Sequence, residues 1–148
     1  MRISILATLL LAVPALLLTA RAQSPTPAPT PAEQGCVSVE VQNVRPQQGY
    51  LRASAFLDEA DFGRKPAVAV RLAAGEATMR FQLCGVAGKE VALMLFQDLD
   101  SDGKMGSNLL GLPTEPWGSS GSPGMMGPKW DTARMPLDGQ ALVVRMSR

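Results

Sequence analysis

The chain contains no histidine. Every mechanism that needs imidazole is therefore excluded, whether the ring would act as base, acid or metal ligand. Cysteine is nearly absent too, with Cys36 and Cys84 alone. The pair lacks the close Cys-x-x-Cys spacing and the flanking base of a redox-active dithiol. Neither sign of charge dominates, with 14 basic against 13 acidic side chains, and no basic patch is visible. Nucleic-acid binding thus has no electrostatic support. No long amphipathic helical pattern occurs.

What is present begins with a leader. Met1 and Arg2 supply a short positive start, and residues 3–18 are apolar apart from Ser4, Thr8 and Pro14. Ala20-Arg21-Ala22 fits a small-x-small cleavage site, which predicts a signal peptide over residues 1–22. The run falls short of the roughly 20 apolar residues of a membrane span, and Pro14 interrupts it. No membrane span is expected once the signal is cleaved. The cleavage point carries no cysteine, so no lipid attachment is read there. Residues 23–35 hold Pro25, Pro27, Pro29 and Pro31 at alternate positions. Proline fixes φ and removes donors, so this reads as a stiff extended linker. Residues 36–148 form the expected domain. Without Arg2 and Arg21 the chain carries 12 basic and 13 acidic groups, a net charge of −1. Export to the periplasm or the exterior is the expectation, and there Cys36 and Cys84 would form a disulfide. Such a bridge closes a loop of about 49 residues and contributes on the order of 4 kcal/mol in the chain-entropy model.

The domain has period-two patterning, the signal of strands. Val37, Val39 and Val41 alternate with Ser38, Glu40 and Gln42. Leu51, Ala53, Ala55 and Leu57 make a second set, Val68, Val70 and Leu72 a third, and Ala77, Met79, Phe81 and Leu83 a fourth. Residues 91–96 are apolar at every position, which predicts a central strand covered on both faces. Leu142, Val144 and Met146 form a last strand. A short helical turn is expected within residues 58–65. Six or seven short strands predict an all-β antiparallel β-sandwich, immunoglobulin- or transthyretin-like. Residues 98–138 interrupt the rhythm: they show no strand pattern and hold most of the domain's glycines and both tryptophans. A loop this long is commonly functional, and Trp117, Trp130, Met125 and Met126 require cover.

That loop opens with Asp98-Leu99-Asp100-Ser101-Asp102-Gly103-Lys104. Three carboxylates at alternate positions followed by glycine form the first half of a calcium loop. Lys104 would offer its backbone carbonyl. The second half departs from an EF-hand, since Gly106 and Leu109 stand where a further ligand and the bidentate glutamate belong. Asn108 and Glu115 are the candidates to complete the shell. The alternative is an acidic turn whose aspartates cap backbone amides and need no metal. Three carboxylates within five residues repel one another, which favours a calcium-type ion over none. Magnesium, which keeps more water, is disfavoured.

The run Phe96-Gln97-Asp98-Leu99-Asp100-Ser101-Asp102-Gly103, then Asn108, then Gly111-Leu112-Pro113-Thr114-Glu115, then Gly127-Pro128-Lys129-Trp130-Asp131-Thr132-Ala133 resembles a family of small exported bacterial proteins, domain of unknown function 2141. The resemblance extends from about Cys36 to the end. It implies a β-sandwich with an aspartate-rich loop after a strand, and it carries Asp98, Asp100, Asp102, Asn108 and Glu115 as site candidates. The chain departs from that pattern at Gln97, where members commonly have histidine, and at Gly106, where they often have an acid.

Three functions are compatible with this sequence. One is a non-catalytic, ion-stabilised module that presents Trp117 and Trp130 to a protein or glycan partner. Trp130, nearer the last strand, is the better core candidate, and Trp117 the better ligand contact. The second is a glycan hydrolase built on Asp98, Asp102 and Glu115. It lacks surroundings that would raise one carboxyl pKa, and no histidine could activate Ser119, Ser120 or Ser122. The third is a purely structural accessory domain of an envelope assembly.

Overall fold

The structure, a computed structural model, describes residues 35–123 and 127–147. The signal peptide and nearly all of the proline linker lie outside those residues, as do Met125 and Met126. The alternating runs become strands β1 (Cys36–Gln42), β2 (Tyr50–Phe56), β3 (Val68–Ala73) and β4 (Thr78–Cys84). The apolar run becomes β5 (Glu90–Asp98). After it come β6 (Trp117–Ser119), a single helical turn α1 (Trp130–Ala133), β7 (Arg134–Pro136) and β8 (Leu142–Arg145).

Two sheets face each other. One is three-stranded in the order β4-β1-β8, and the other runs β3-β2-β5-β6. β7 also pairs with β5, opposite Glu90, Val91 and Ala92, while β6 lies opposite Met94, Leu95 and Phe96. All pairings are antiparallel except β1 with β8. The core is one cluster in which Val37, Val39 and Val41 of β1 pack with Leu51, Ala53, Ala55, Leu93, Leu95 and Val144. Period-two alternation explains it, because each strand turns every second side chain inward. The described residues thus form a β-sandwich with almost no helix.

The disulfide forms between Cys36 and Cys84. These residues stand directly opposite each other, where β1 begins and β4 ends. The bridge therefore joins neighbouring strands of one sheet. The chain it encloses includes β2 and β3 of the other sheet, so it closes the crossover between layers.

Three details differ from the sequence reading. The strands among the described residues number eight. Residues 58–65 form consecutive turns, held by Phe62 N–H to Glu59 C=O and by Arg64 and Lys65 N–H to Asp61 C=O, and not a helix. The long segment after Asp98 contains β6, α1 and β7. These are too short to show a period, and Gly118 in β6 has weak strand propensity. Glycine is required there, because a Cβ would lie 2.8 Å from the Arg145 carbonyl oxygen and from the Val144 side chain.

Candidate metal centre

β5 delivers Asp98 as its final residue. Leu93 and Leu95 point to the core, so the even positions Met94, Phe96 and Asp98 point to the outer face of the larger sheet. The pairing sets Asp98 opposite Tyr50 and Phe96 opposite Arg52. Arg52 is then the diagonal neighbour of Asp98 on one face, within reach of a long side chain. Its Nε donates to Asp98 Oδ2 at 2.6 Å.

The loop folds back over this pair. The Gly103 amide donates to the same Oδ2 at 3.1 Å. Gly103 has φ +84°, and a Cβ would lie 3.1 Å from an Arg52 guanidinium nitrogen. Ser101 also takes a left-handed conformation, φ +64°, at the bend. Two Asx turns finish the loop: Asp102 N–H donates to Asp100 Oδ1 at 3.1 Å, and Lys104 N–H donates to Asp102 Oδ1 at 2.7 Å.

The result is a graded cluster. Asp98 is fully buried, while Asp100 and Asp102 are exposed, and one carboxylate oxygen of each lies within 4.8 Å of the others. Asp98 Oδ1 is buried and has no hydrogen-bond partner among the described residues. Burial pushes the Asp98 pKa up. The hydrogen bond and charge of Arg52, with the amides of Gly103 and Ser101, outweigh it and hold the carboxyl below its usual range. The group is therefore a carboxylate at neutral pH. A buried anionic oxygen beside two further carboxylates suits a hard cation with oxygen ligands. A depressed pKa is the opposite of what a glycosidase general acid requires.

The remaining sequence candidates have other partners. Glu115 is buried and clamps the loop: Oε1 accepts from the Leu99 amide at 2.7 Å and Oε2 from the Gly106 amide at 2.9 Å. Asn108 is exposed, and its Oδ1 accepts from the Leu110 and Leu112 amides, both at 3.0 Å. Lys104 is exposed at the end of the acidic turn. An acid at Gly106 would require the Thr114 side chain to shift, since a Cβ there would lie 2.7 Å from Thr114 Oγ1.

Trp117 is half-buried on β6, opposite Phe96, one strand away from the acidic loop. Trp130 is half-buried and stands edge-on to Phe62 at 5.9 Å, which in turn stands edge-on to Phe56 at 5.3 Å. The two tryptophans thus serve different parts of the molecule. Ser120 Oγ donates to the Ala133 carbonyl and accepts from the Leu93 amide, so it joins β5 to the end of α1.

Two site residues escape a sequence reading. Arg52 is one of several polar residues on an alternating strand, and only the register places it on Asp98. Gln97 is fully buried and fastens residues 45–48, donating to the Arg45 and Gln48 carbonyls at 2.7 Å and accepting from the Arg45 amide at 2.9 Å.

Among the described residues no helix is long and apolar enough to cross a membrane. The family model described as "Uncharacterized protein conserved in bacteria (DUF2141)" matches residues 39–145. Comparison with curated proteins and with solved structures gave no match.

Proposed function

Because the chain belongs to this uncharacterised bacterial family, its role must be read from its own loop, and we propose that it is an exported, non-catalytic module whose acidic loop binds a calcium-type ion. The ion would bridge Asp98, Asp100 and Asp102 and fix residues 98–104 on the outer face of the larger sheet. The observation that carries this reading is Asp98 Oδ1. A buried carboxylate oxygen without a donor is unfavourable, and a cation held with the two exposed aspartates would satisfy it. Export is supported by the leader pattern and by the disulfide, which persists in oxidising compartments. Trp117, beside the loop, is the proposed contact for a protein or glycan partner.

The test is thermal unfolding in excess calcium and in chelator. A ligand at one hundred times its Kd that binds only the native state adds about 2.7 kcal/mol, which moves the midpoint of a domain this size by several degrees. The shift should vanish in Asp100→Ala. An equal midpoint in calcium and chelator would leave the loop as a hydrogen-bonded turn without an ion.

A further inference from the structure

The loop that follows the acidic turn carries three leucines that pack on almost nothing. Leu109 is 106% exposed, Leu110 83% and Leu112 57%. These are the three most exposed large apolar side chains of the described residues, and they lie within four positions of one another. Scattered exposed leucines are ordinary, but a contiguous apolar point on a small domain marks an interaction site.

The point is rigidly built. Asn108 Oδ1 holds the amides of Leu110 and Leu112. The Asn108 carbonyl accepts from Gly111 N–H, and the Asn108 amide donates to the Leu112 carbonyl. At its root, Ser107 bridges to Pro113, Thr114 N–H donates to the Gly106 carbonyl, and Glu115 clamps the Leu99 and Gly106 amides. The leucines are therefore displayed at little entropic cost on docking.

We propose that this tip is a shallow insertion element for an anionic phospholipid surface. Three observations favour a bilayer over a pocket in another protein. A residue more exposed than its isolated reference is convex, and a bilayer can close around a projecting point. Residues 105–114 carry no charge, so no ionised side chain has to be desolvated on entry below the headgroups. The charges resume at the root, with Lys104 and the exposed Asp100 and Asp102 on one side and Glu115 on the other. Gly106 to Leu109 spans about 10 Å if extended, comparable to the roughly 5–10 Å depth of interfacial insertion. The root thus lies at headgroup level when the leucines lie among the acyl chains. This deepens the reading of the acidic loop and rests on it in one respect. Asp100 and Asp102 repel lipid phosphates when bare, and a cation on them would join carboxylate to phosphate. Insertion of a few apolar groups is weak and reversible alone and becomes stable with a second, electrostatic attachment.

The experiment is co-sedimentation of the protein, as cells release it, with vesicles of phosphatidylethanolamine and phosphatidylglycerol, in calcium and in chelator. The expected result is binding in calcium that falls by more than about tenfold when Leu109, Leu110 and Leu112 are all changed to Ser, with the melting temperature unchanged. In a Leu110→Trp variant the emission should shift to the blue on adding vesicles. Equal binding by the triple variant, or no binding of the parent protein in calcium, overturns the proposal. If calcium raises the melting temperature but vesicles are not bound, the ion site stands and the tip is left for a protein partner. If binding needs the leucines but ignores calcium and Asp100→Ala, the insertion stands and the ion reading falls.

Discussion

The two halves of this domain are held together by different physics. From Cys36 to Asp98 the chain is strand after strand, and the stabilising contacts are buried Val, Leu and Ala side chains in one cluster. Among the described residues from Leu99 to Leu137 the elements are three or four residues long and little apolar surface is buried. Individual polar atoms hold the chain there instead. Glu115 fastens both ends of the acidic segment, Asn108 ties the leucine tip, and Ser120 links β5 to α1. Apolar packing is shared among many neighbours and fails globally. A carboxylate that holds two amides fails locally, and the rest of the sandwich remains. The second half can therefore vary without dismantling the first.

The sharpest way to break this contrast is to excavate the first half. Leu93 is fully buried at the centre of β5, and Leu93→Ala should cost about 3 kcal/mol, lowering the midpoints of core and loop probes together in denaturant titration. Separate transitions would show the halves to be less coupled than the shared strand implies. Next in size, Glu115→Ala leaves two loop amides without their acceptor, at about 2 kcal/mol. Its signature should be local: faster amide exchange at Leu99 and Gly106 and faster proteolysis within residues 104–114, with β1 to β4 protected as before. A uniform loss of protection would mean that Glu115 supports the core as well.

The smallest effect belongs to acid. The Asp98 carboxyl is held below its usual range by Arg52 and the loop amides, against the upward push of burial. Its ionised form therefore favours the fold. That contribution is complete above the unfolded aspartate value of about 3.9 and is lost as pH falls through the lower folded value. Asp98→Asn should flatten this part of the pH–stability curve. Arg52 is partly exposed, so solvent screening keeps the effect modest. Unchanged acid sensitivity in Asp98→Asn would place the responsible carboxylate elsewhere.

The same division decides what could be read from the sequence. The valines of β1 and the alanines of β2 announce strands because alternation is a local property. So does the gathering of Asp98, Asp100 and Asp102, since carboxylates two residues apart in a tight turn have few places to go. Pairing Cys36 with Cys84 needed only that no other cysteine exists. β6 and β7 were illegible because three residues carry no period, and because Gly118 and Pro136 contradict strand propensity until their neighbours are known. Arg52 and Gln97 were illegible for another reason. Their partners are 46 and 52 residues away, and only the strand register reveals which outward arginine meets which aspartate. Glu115 was noticed for its charge, but its use as a clamp depends on where Leu99 and Gly106 present their amides.

The parallel pairing of β1 with β8 gives the molecule two poles. Gln97 fastens the turn that follows β1, so the acidic loop and the leucine tip lie at the end where β1 finishes. The chain enters at the other end, at Cys36, and leaves beside the loop, where Ser147 and Trp117 exchange hydrogen bonds. A leash attached ahead of Cys36 would hold the sandwich by its base and aim the loop away from the point of attachment. A label joined after Ser147 would sit against Trp117 and obstruct that face. The position of a fusion partner therefore determines which surface an assay can see.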